Sequence, residues 1–172
     1  MAKKLHNIDE AVVVALGSNL PGAYASTRDL LEAALAAFEP EGLRVIARSS
    51  WWRSAAWPDP AAPAYLNGVA VVETALGSAE VLHALHAIER RFGRERHVPN
   101  APRTLDLDLI AYGREVREGG VTLPHPRAHE RRFVMGPLVE IAPDWMHPTL
   151  LVSAFALAQS AQVGADAHST EG

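Results

Sequence analysis

The sequence predicts an α+β fold: a ferredoxin-like antiparallel sheet with the element order β-α-β-β-α-β, helices beside the sheet, and a C-terminal helical extension. Three observations predict this fold. Apolar runs of strand length alternate with segments whose apolar residues recur at helical spacing. Glycine and proline separate these segments. The chain has 172 residues, of which 48% are hydrophobic, and this suits one domain with a core of its own.

The first third of the chain predicts a strand, a helix and a second strand. A continuous apolar run over residues 11–16 favours a strand that is buried on both faces. Ser26 can cap a helix that carries apolar residues at helical spacing as far as Phe38, and Gly42 helps to end it. Alternation over 43–48 predicts the second strand, and the proline-rich stretch that comes later predicts an irregular loop.

The rest of the chain predicts the second half of the sheet and the extension. In order, the elements are a strand over 67–74, a helix that Ser78 caps and that runs to Phe92, a strand over 105–112, a short strand pair over 116–123 and a helical stretch over 127–141. Gly93 suits the end of the second helix, where a left-handed residue is common. We expect one domain over 1–172, with an ordered core over about 10–158 and a frayed, polar tail over 159–172.

The composition excludes several classes of protein. The chain has no cysteine, which excludes thiol nucleophiles, disulfide scaffolds and thiolate zinc sites. No apolar run in the sequence approaches the roughly 18 residues needed to cross a bilayer. The formal net charge of −4 argues against a protein that binds nucleic acid by neutralising phosphates. We therefore expect a cytoplasmic protein.

Positive charge is concentrated in one stretch of the chain. Residues 90–132 contain ten arginines and six acidic residues, a local charge of +4 in a chain whose remainder carries −8. Such a stretch can bind an anionic ligand, and it can equally form a solvated basic face. The charge alone leaves both interpretations open.

The sharpest feature is the run from Arg103 to Leu109, which reads Arg-Thr-Leu-Asp-Leu-Asp-Leu. Side chains alternate between the two faces of a strand, so Asp106 and Asp108 share one face, with Cα atoms roughly 7 Å apart. Two carboxylates this close repel each other unless a cation lies between them. Because Mg²⁺ prefers carboxylate oxygens and shares its shell with substrate phosphates, the pair can be a metal platform for phosphoryl transfer. The alternative is an exposed strand face with ordinary ion pairs.

Cationic side chains flank this carboxylate pair. They are Arg94, Arg96, His97 and Arg103 before it, and His125, Arg127, His129, Arg131 and Arg132 after it. Arginine binds phosphate oxygens in a bidentate manner, so these neighbours favour a site for a nucleotide and Mg²⁺. His125 lies between two prolines, which restrict its backbone. The two commonest glycine motifs for nucleotide binding do not occur in the sequence.

Two further pairs of residues have both a functional and a structural interpretation. Tyr65 and Phe133 can hold a flat heterocycle between their rings, and they can equally pack in the core. His86 and Glu89, three residues apart on the second predicted helix, can bind a metal ion, but a solvent-facing helix surface explains them as well. The residues by themselves leave these alternatives open.

Four blocks of sequence, taken together, resemble one enzyme family. They are Ala-Leu-Gly-Ser-Asn-Leu over 15–20, Tyr-Leu-Asn over 65–67, Pro-Arg-Thr-Leu-Asp-Leu-Asp over 102–108, and Leu-Pro-His-Pro-Arg over 123–127 with Arg131 and Phe133. Their order and spacing are similar to those of the hydroxymethyl-dihydropterin pyrophosphokinases from about Val12 to Trp145. The block over 102–108 is highly specific to that family.

The resemblance implies transfer of diphosphate from ATP to the hydroxymethyl group of a reduced pterin, an early step of folate synthesis. It implies ATP as co-substrate and two Mg²⁺ ions bound by Asp106 and Asp108. The implied catalytic residues are these two aspartates with Arg94 and Arg103. The residues implied to contact ATP are His86, Glu89, Arg94, Arg103, Leu109, Thr122, His125 and Arg131. Those implied to contact the pterin are Ser54, Trp57, Tyr65, Asn67 and Phe133.

Two other functions fit parts of the sequence. An RNA-binding module can share the β-α-β-β-α-β scaffold, but it would stack bases on strand aromatics where this chain has Leu-Asp-Leu-Asp. A metal-dependent phosphohydrolase would release phosphate from nucleotides without an acceptor. We expect the pyrophosphokinase, acting as a monomer on small-molecule substrates and binding neither nucleic acid nor a membrane.

Overall fold

The structure is a computed structural model that describes residues 8–56, 59–93 and 104–171. The strands and helices are β1 (Val12–Ser18), α1 (Thr27–Ala36), β2 (Arg44–Arg48), β3 (Trp52–Ser54), β4 (Tyr65–Glu73), α2 (Ser78–Arg91), β5 (Asp106–Tyr112), α3 (Arg132–Ile141), α4 (Ala154–Ser160) and β6 (His168–Ser169). Short 3₁₀ helices lie at Ile8–Glu10, Glu39–Glu41 and Ala128–Glu130. Within the described residues, no helix is both long enough and apolar enough to cross a membrane.

The strands form one antiparallel sheet in the order β5-β1-β4-β3-β6. β2 also pairs with β4, opposite residues 70–73, while β3 lies opposite residues 65–67. β2 and β3 therefore act as one interrupted strand beside β4. The order of the main strands is that of the split β-α-β pattern, which confirms the predicted fold class.

Helices cover both faces of the sheet because the central strand is apolar on both faces. All seven residues of β1 are buried. Val12, Val14 and Leu16 pack in a core that includes residues of α1 and α2. Val13 and Ala15 pack in a second core that includes residues of α3 and α4, and we call this side of the sheet the α3 face. The predicted strand with two buried faces is confirmed.

Of the two helix caps predicted from the sequence, one is confirmed and the other is shifted by one residue. The Ser26 hydroxyl accepts a hydrogen bond from the Asp29 backbone N–H at 3.1 Å, which confirms the predicted cap of α1. The cap of α2 is Gly77, one residue before the predicted Ser78. Ser78 lies inside the helix, and its hydroxyl donates to the Glu115 carboxylate at 2.9 Å. This contact between distant residues explains why a buried serine starts the helix.

Two predictions about the later part of the chain are wrong. The expected strand pair over 116–123 is a single bridge between Arg117 and Leu123. The tail over 159–172, expected to fray, is packed as far as residue 171. β6 pairs with β3, Ala167 is buried, and the Thr170 backbone N–H donates to the Trp51 carbonyl at 3.0 Å. Small polar residues gave no apolar pattern to reveal this pairing.

Gly68 on β4 provides a test of how tightly the first core is packed. A Cβ atom added at Gly68 would lie 2.6 Å from Cζ3 of Trp51. The indole cannot easily retreat, because it is buried and its Nε1 donates to Glu32 at 2.9 Å. Gly68→Ala should therefore lower the free energy of unfolding by about 1–3 kcal/mol, measured by urea denaturation. Gly120→Ala is the control, since nothing lies within 4 Å of its added Cβ. Equal losses in the two variants would contradict this view of the core.

Candidate active site

β5 presents two carboxylates to the α3 face of the sheet. Leu105, Leu107 and Leu109 are buried in the core with α1 and α2, while Asp106 and Asp108 are half-buried on the opposite face. The predicted alternation of faces is confirmed. Across the β1 ladder, Asp106 lies opposite Gly17 and Asp108 lies opposite Ala15. Because these partners are small, space remains above the two carboxylates.

A buried glutamate supports the strand between these aspartates. β5 is at the edge of the sheet, so its outward N–H groups face away from β1. The Leu107 N–H donates to Glu89 Oε2 on α2 at 3.0 Å, and Glu89 is only 1% exposed. Glu89 therefore fixes the backbone of β5 from the side, and its implied contact with ATP stays a prediction.

A cavity of about 420 Å³ opens on the α3 face beside the carboxylates. Its walls come from β1, β3, β4, β5, the start of α3 and the segment after α4. The lining residues are Ala15, Leu16, Gly17, Ser54, Ala55, Ala56, Tyr65, Asn67, Asp106, Asp108, Arg131, Phe133, Val134, Val163, Gly164 and Asp166. A cavity of this size can hold a small bicyclic ligand.

Most of the residues predicted to bind a flat ligand line this cavity together. Tyr65, Asn67 and Phe133 do so, as does Ser54 at the end of β3. The Asn67 Nδ2 donates to the Ser54 Oγ at 2.9 Å, and both side chains are buried. This bond fixes the orientation of the Asn67 amide. Trp57, the remaining predicted residue of this group, lies outside the described residues.

The basic residues after β5 are divided between the cavity and its surroundings. Arg131 lines the cavity, and its guanidinium carbon lies 5.8 Å from the centroid of the Phe133 ring. Thr122 is exposed, His86 is half-buried on α2, and the Leu109 side chain is buried in the other core. These three, like His125, are not among the cavity-lining residues. Arg94 and Arg103 lie outside the described residues, so the structure does not test their predicted roles.

His125 is held in its neutral form. Its backbone N–H donates to the Ile110 carbonyl on β5 at 2.8 Å, which ties the proline-flanked turn to the strand. Its Nδ1 accepts the Arg127 backbone N–H at 3.2 Å, which assigns the remaining proton to Nε2. Burial, and then the positive charge of Arg131, lower the pKa of His125 from 6.5 to about 4. At neutral pH it can thus donate one hydrogen bond without adding charge.

Sequence reasoning missed the part of the wall that comes from the end of the chain. Val163, Gly164 and Asp166 line the cavity, although the sequence predicted that this region frays. Ala55 and Ala56, which adjoin the predicted Ser54, also line the cavity. Asp166, which stands among small residues shortly after Gly164, was a possible signal that this region is packed. Its partner, Ala55, is more than a hundred positions away in the sequence.

The two aspartates fit a hard divalent cation. Within the described ranges, no group of three or more His, Cys, Asp or Glu residues could hold a metal ion. Mg²⁺ does not require such a group, since it is often bound by one or two carboxylates with waters and substrate phosphates. Asp106 and Asp108 supply oxygen donors on one wall of an open cavity. Two carboxylates beside an open cavity fit a transferase of phosphate groups, and this is the class of protein that the fold and the site favour.

Comparison with known proteins assigns the family. The family model for 7,8-dihydro-6-hydroxymethylpterin-pyrophosphokinase matches residues 13–143. The chain is 44% identical over 138 residues to the 2-amino-4-hydroxy-6-hydroxymethyldihydropteridine pyrophosphokinase of Synechocystis, covering 79% of this chain and 68% of that protein. It is 41% identical over 146 residues to the enzyme of the same name from Pseudomonas aeruginosa, covering 81% and 85%. The chain belongs to the 7,8-dihydro-6-hydroxymethylpterin-pyrophosphokinase family.

Longer proteins share the fold of this chain over part of their length. A wild-type HPPK-DHPS chain of Plasmodium falciparum with bound SDX-DHP superimposes with a TM-score of 0.67 at 11% identity, covering 92% of this chain. The present chain spans 44% of that solved chain. It also spans 20% of the folic acid synthesis protein fol1 of Pneumocystis carinii, to which it is 35% identical over 148 residues. The solved structure supports the fold.

The lowered pKa of His125 predicts how stability depends on pH. Between pH 6.5 and about 4 the unfolded chain binds a proton at this residue that the folded chain does not. The free energy of unfolding should therefore fall as the pH drops through this window, by at most about 3 kcal/mol from His125. Burial also lowers the pKa of His147, which adds a loss of the same sign.

His125→Asn keeps an acceptor near the position of Nδ1 and removes the titration. Urea denaturation at pH 7 and pH 4.5 should show a smaller loss of stability in this variant than in the parent. His83→Asn, at an exposed position of α2, is the matched control. The same pH dependence in the parent and in His125→Asn would contradict the assignment of a depressed pKa to His125.

Proposed function

We propose that this chain transfers the terminal diphosphate of ATP to the hydroxymethyl group of 7,8-dihydro-6-hydroxymethylpterin, giving AMP and the pterin diphosphate. The observation that carries the proposal is the shared cavity, in which the carboxylates of β5 lie on the same surface as Tyr65, Asn67 and Phe133. Membership of the pyrophosphokinase family, at 41–44% identity to two bacterial enzymes of that name, supports it. The product would enter folate biosynthesis.

The pterin would bind in the apolar part of the cavity. A flat bicyclic ring gains most from aromatic faces, which Tyr65 and Phe133 supply. The amide of Asn67 is held by Ser54, so it would present a fixed polar group to the edge of the ring. A ligand lacking that polar edge would form no hydrogen bond to this amide, which would give the site its selectivity.

The phosphates would bind at the carboxylate end of the cavity. Asp106 and Asp108 would hold two Mg²⁺ ions, which when bound neutralise charge on the phosphate oxygens. Arg131 would add a guanidinium on the cavity wall. Arg94 and Arg103, which are not among the described residues, are also proposed to bind the phosphates. His125 would donate one neutral hydrogen bond through Nε2 near the same phosphates.

The transfer itself requires little covalent chemistry from the protein. The hydroxymethyl oxygen forms a bond to the β-phosphorus of ATP, and the bond from that phosphorus to the oxygen of the α-phosphate breaks. AMP leaves with that oxygen, and the hydroxyl proton is released. The chain contributes by aligning the two ligands and by neutralising phosphate charge, which are the main sources of acceleration in phosphoryl transfer. A monomeric state stays a prediction from the sequence.

The identity of the nucleotide product tests the proposed function directly. The protein is incubated with ATP, Mg²⁺ and 7,8-dihydro-6-hydroxymethylpterin, and the nucleotides are separated by chromatography. Diphosphate transfer yields AMP in equal amount to the pterin diphosphate, and AMP should not form when the pterin is omitted. ADP as the main product, or phosphate release without the pterin, would overturn the proposal. The second result would favour the phosphohydrolase.

The carboxylate pair provides a test by mutation. Asp106→Asn or Asp108→Asn keeps the side-chain shape and removes one of the negative charges that would hold Mg²⁺. Without the metal ion the phosphate charge is not neutralised, so turnover should fall at least about 100-fold. The fold should persist, as measured by thermal melting followed by circular dichroism. Asp144→Asn, at an exposed position that does not line the cavity, is the control and should retain parental turnover. Turnover near the parental value in both β5 variants would show that this strand is not the metal platform.

A further inference from the structure

The segment over residues 161–171 passes along the rim of the cavity between α4 and the sheet edge. At its start it is held to the beginning of α3, because the Arg132 N–H donates to the Val163 carbonyl and the Val163 N–H donates to the Glu130 carbonyl, both at 2.9 Å. At its end it pairs with β3 through β6. Both ends are therefore fixed, and the residues between them lie against the cavity.

Gly164 in this segment touches the predicted stacking residue. A Cβ atom added at Gly164 would lie 2.5 Å from Cδ1 of Phe133, closer than any side chain could approach. The φ angle of Gly164 is +68°, in the left-handed region that favours glycine. The backbone of the segment thus lies directly against the Phe133 ring and limits the positions that the ring can take.

Asp166 holds another part of the cavity lining, which we call the lip (Ser54–Ala56). Its Oδ2 accepts a hydrogen bond from the Ala55 backbone N–H at 2.7 Å. A carboxylate acceptor makes this bond stronger than one between neutral groups. Ser54 in the same lip accepts the bond from Asn67. The position of the lip therefore depends on the segment on one side and on the Asn67 amide on the other.

We propose that residues 163–166 form a wall of the pterin pocket, with Gly164 and Asp166 as positioning residues. Gly164 sets the position of the Phe133 ring, and Asp166 sets the position of the lip. Both limits determine the width of the slot, and a stacked ring requires a slot that matches its thickness. The proposal rests on the proposed function, since it names the ligand of that same cavity.

A role in the pocket differs from a role in general stability. Asp166 is exposed, and exposed polar contacts contribute little to the free energy of unfolding. Glu171, in the same segment, also makes a charged contact of 2.7 Å, but to Arg28 on α1 and away from the cavity. The two acids therefore separate anchoring of the segment from shaping of the pocket.

The experiment compares Asp166→Ala with Glu171→Ala in the full chain. Steady-state kinetics give the KM values for the pterin and for ATP. Calorimetry gives the Kd for 7,8-dihydro-6-hydroxymethylpterin in the presence of Mg²⁺ and α,β-methylene-ATP, which cannot transfer its diphosphate. We expect Asp166→Ala to raise both the KM and the Kd for the pterin about tenfold, with the KM for ATP and the melting temperature near parental values. Glu171→Ala should leave the pterin constants unchanged.

Two further variants complete the test. Asp166→Asn keeps an acceptor oxygen, so it should recover most of the pterin affinity lost in Asp166→Ala. Gly164→Ala should weaken pterin binding more than ATP binding, because the added methyl group displaces Phe133. An unchanged pterin Kd in Asp166→Ala, or equal losses of affinity for the pterin and for ATP, would overturn the proposed role of residues 163–166. A parent protein that forms no AMP and binds no pterin would overturn the proposed function and the wall together, whereas a competent parent with unaffected variants would overturn the wall alone.

Discussion

The burial of β1 on both faces is the constraint on which the rest of the structure depends. Its seven residues are all buried, so the sheet needs a layer on each side. α1 and α2 cover one face, as expected for a β-α-β-β-α-β chain. Without α3 and α4, the apolar side chains on the other face would be exposed to water. Met135 of α3 and Leu157 of α4 belong to the second core, which covers that face. The helical extension is therefore part of the domain's core.

The site arises where this second layer cannot pack down onto the sheet. Towards the end of β1 the side chains shrink to Ala15 and Gly17, and their neighbours across the ladders include Asp106 and Asn67. A Cβ atom at Gly17 would lie 3.1 Å from the Asn67 side-chain oxygen, so a larger residue would intrude on the amide. Polar groups and small residues at one end of a buried strand weaken the core locally, and the same arrangement makes room for a ligand.

His125 adds no positive charge to the site, although charged side chains lie close to it. The aspartates of β5 and the Arg131 guanidinium lie on the cavity wall, whereas His125 is kept neutral by burial and by Arg131. A neutral imidazole avoids adding a buried positive charge next to arginine. It still offers one donor, because the Arg127 N–H occupies Nδ1. Burial and then the charge of Arg131, six positions later, keep the ring neutral, and the backbone of the proline-flanked turn selects its tautomer.

The sequence by itself determined the features that depend on neighbouring residues in the chain. The alternation that places Asp106 and Asp108 on one face, the Ser26 cap and the apolar central strand follow from side chains a few positions apart. The tertiary structure decided which distant residues meet. The contact of Asp166 with Ala55 spans 111 positions, and the pairing of β6 with β3 joins segments without an apolar signature. Such contacts are decided by how the whole chain packs, because no local preference of the backbone encodes which partner a polar group will find.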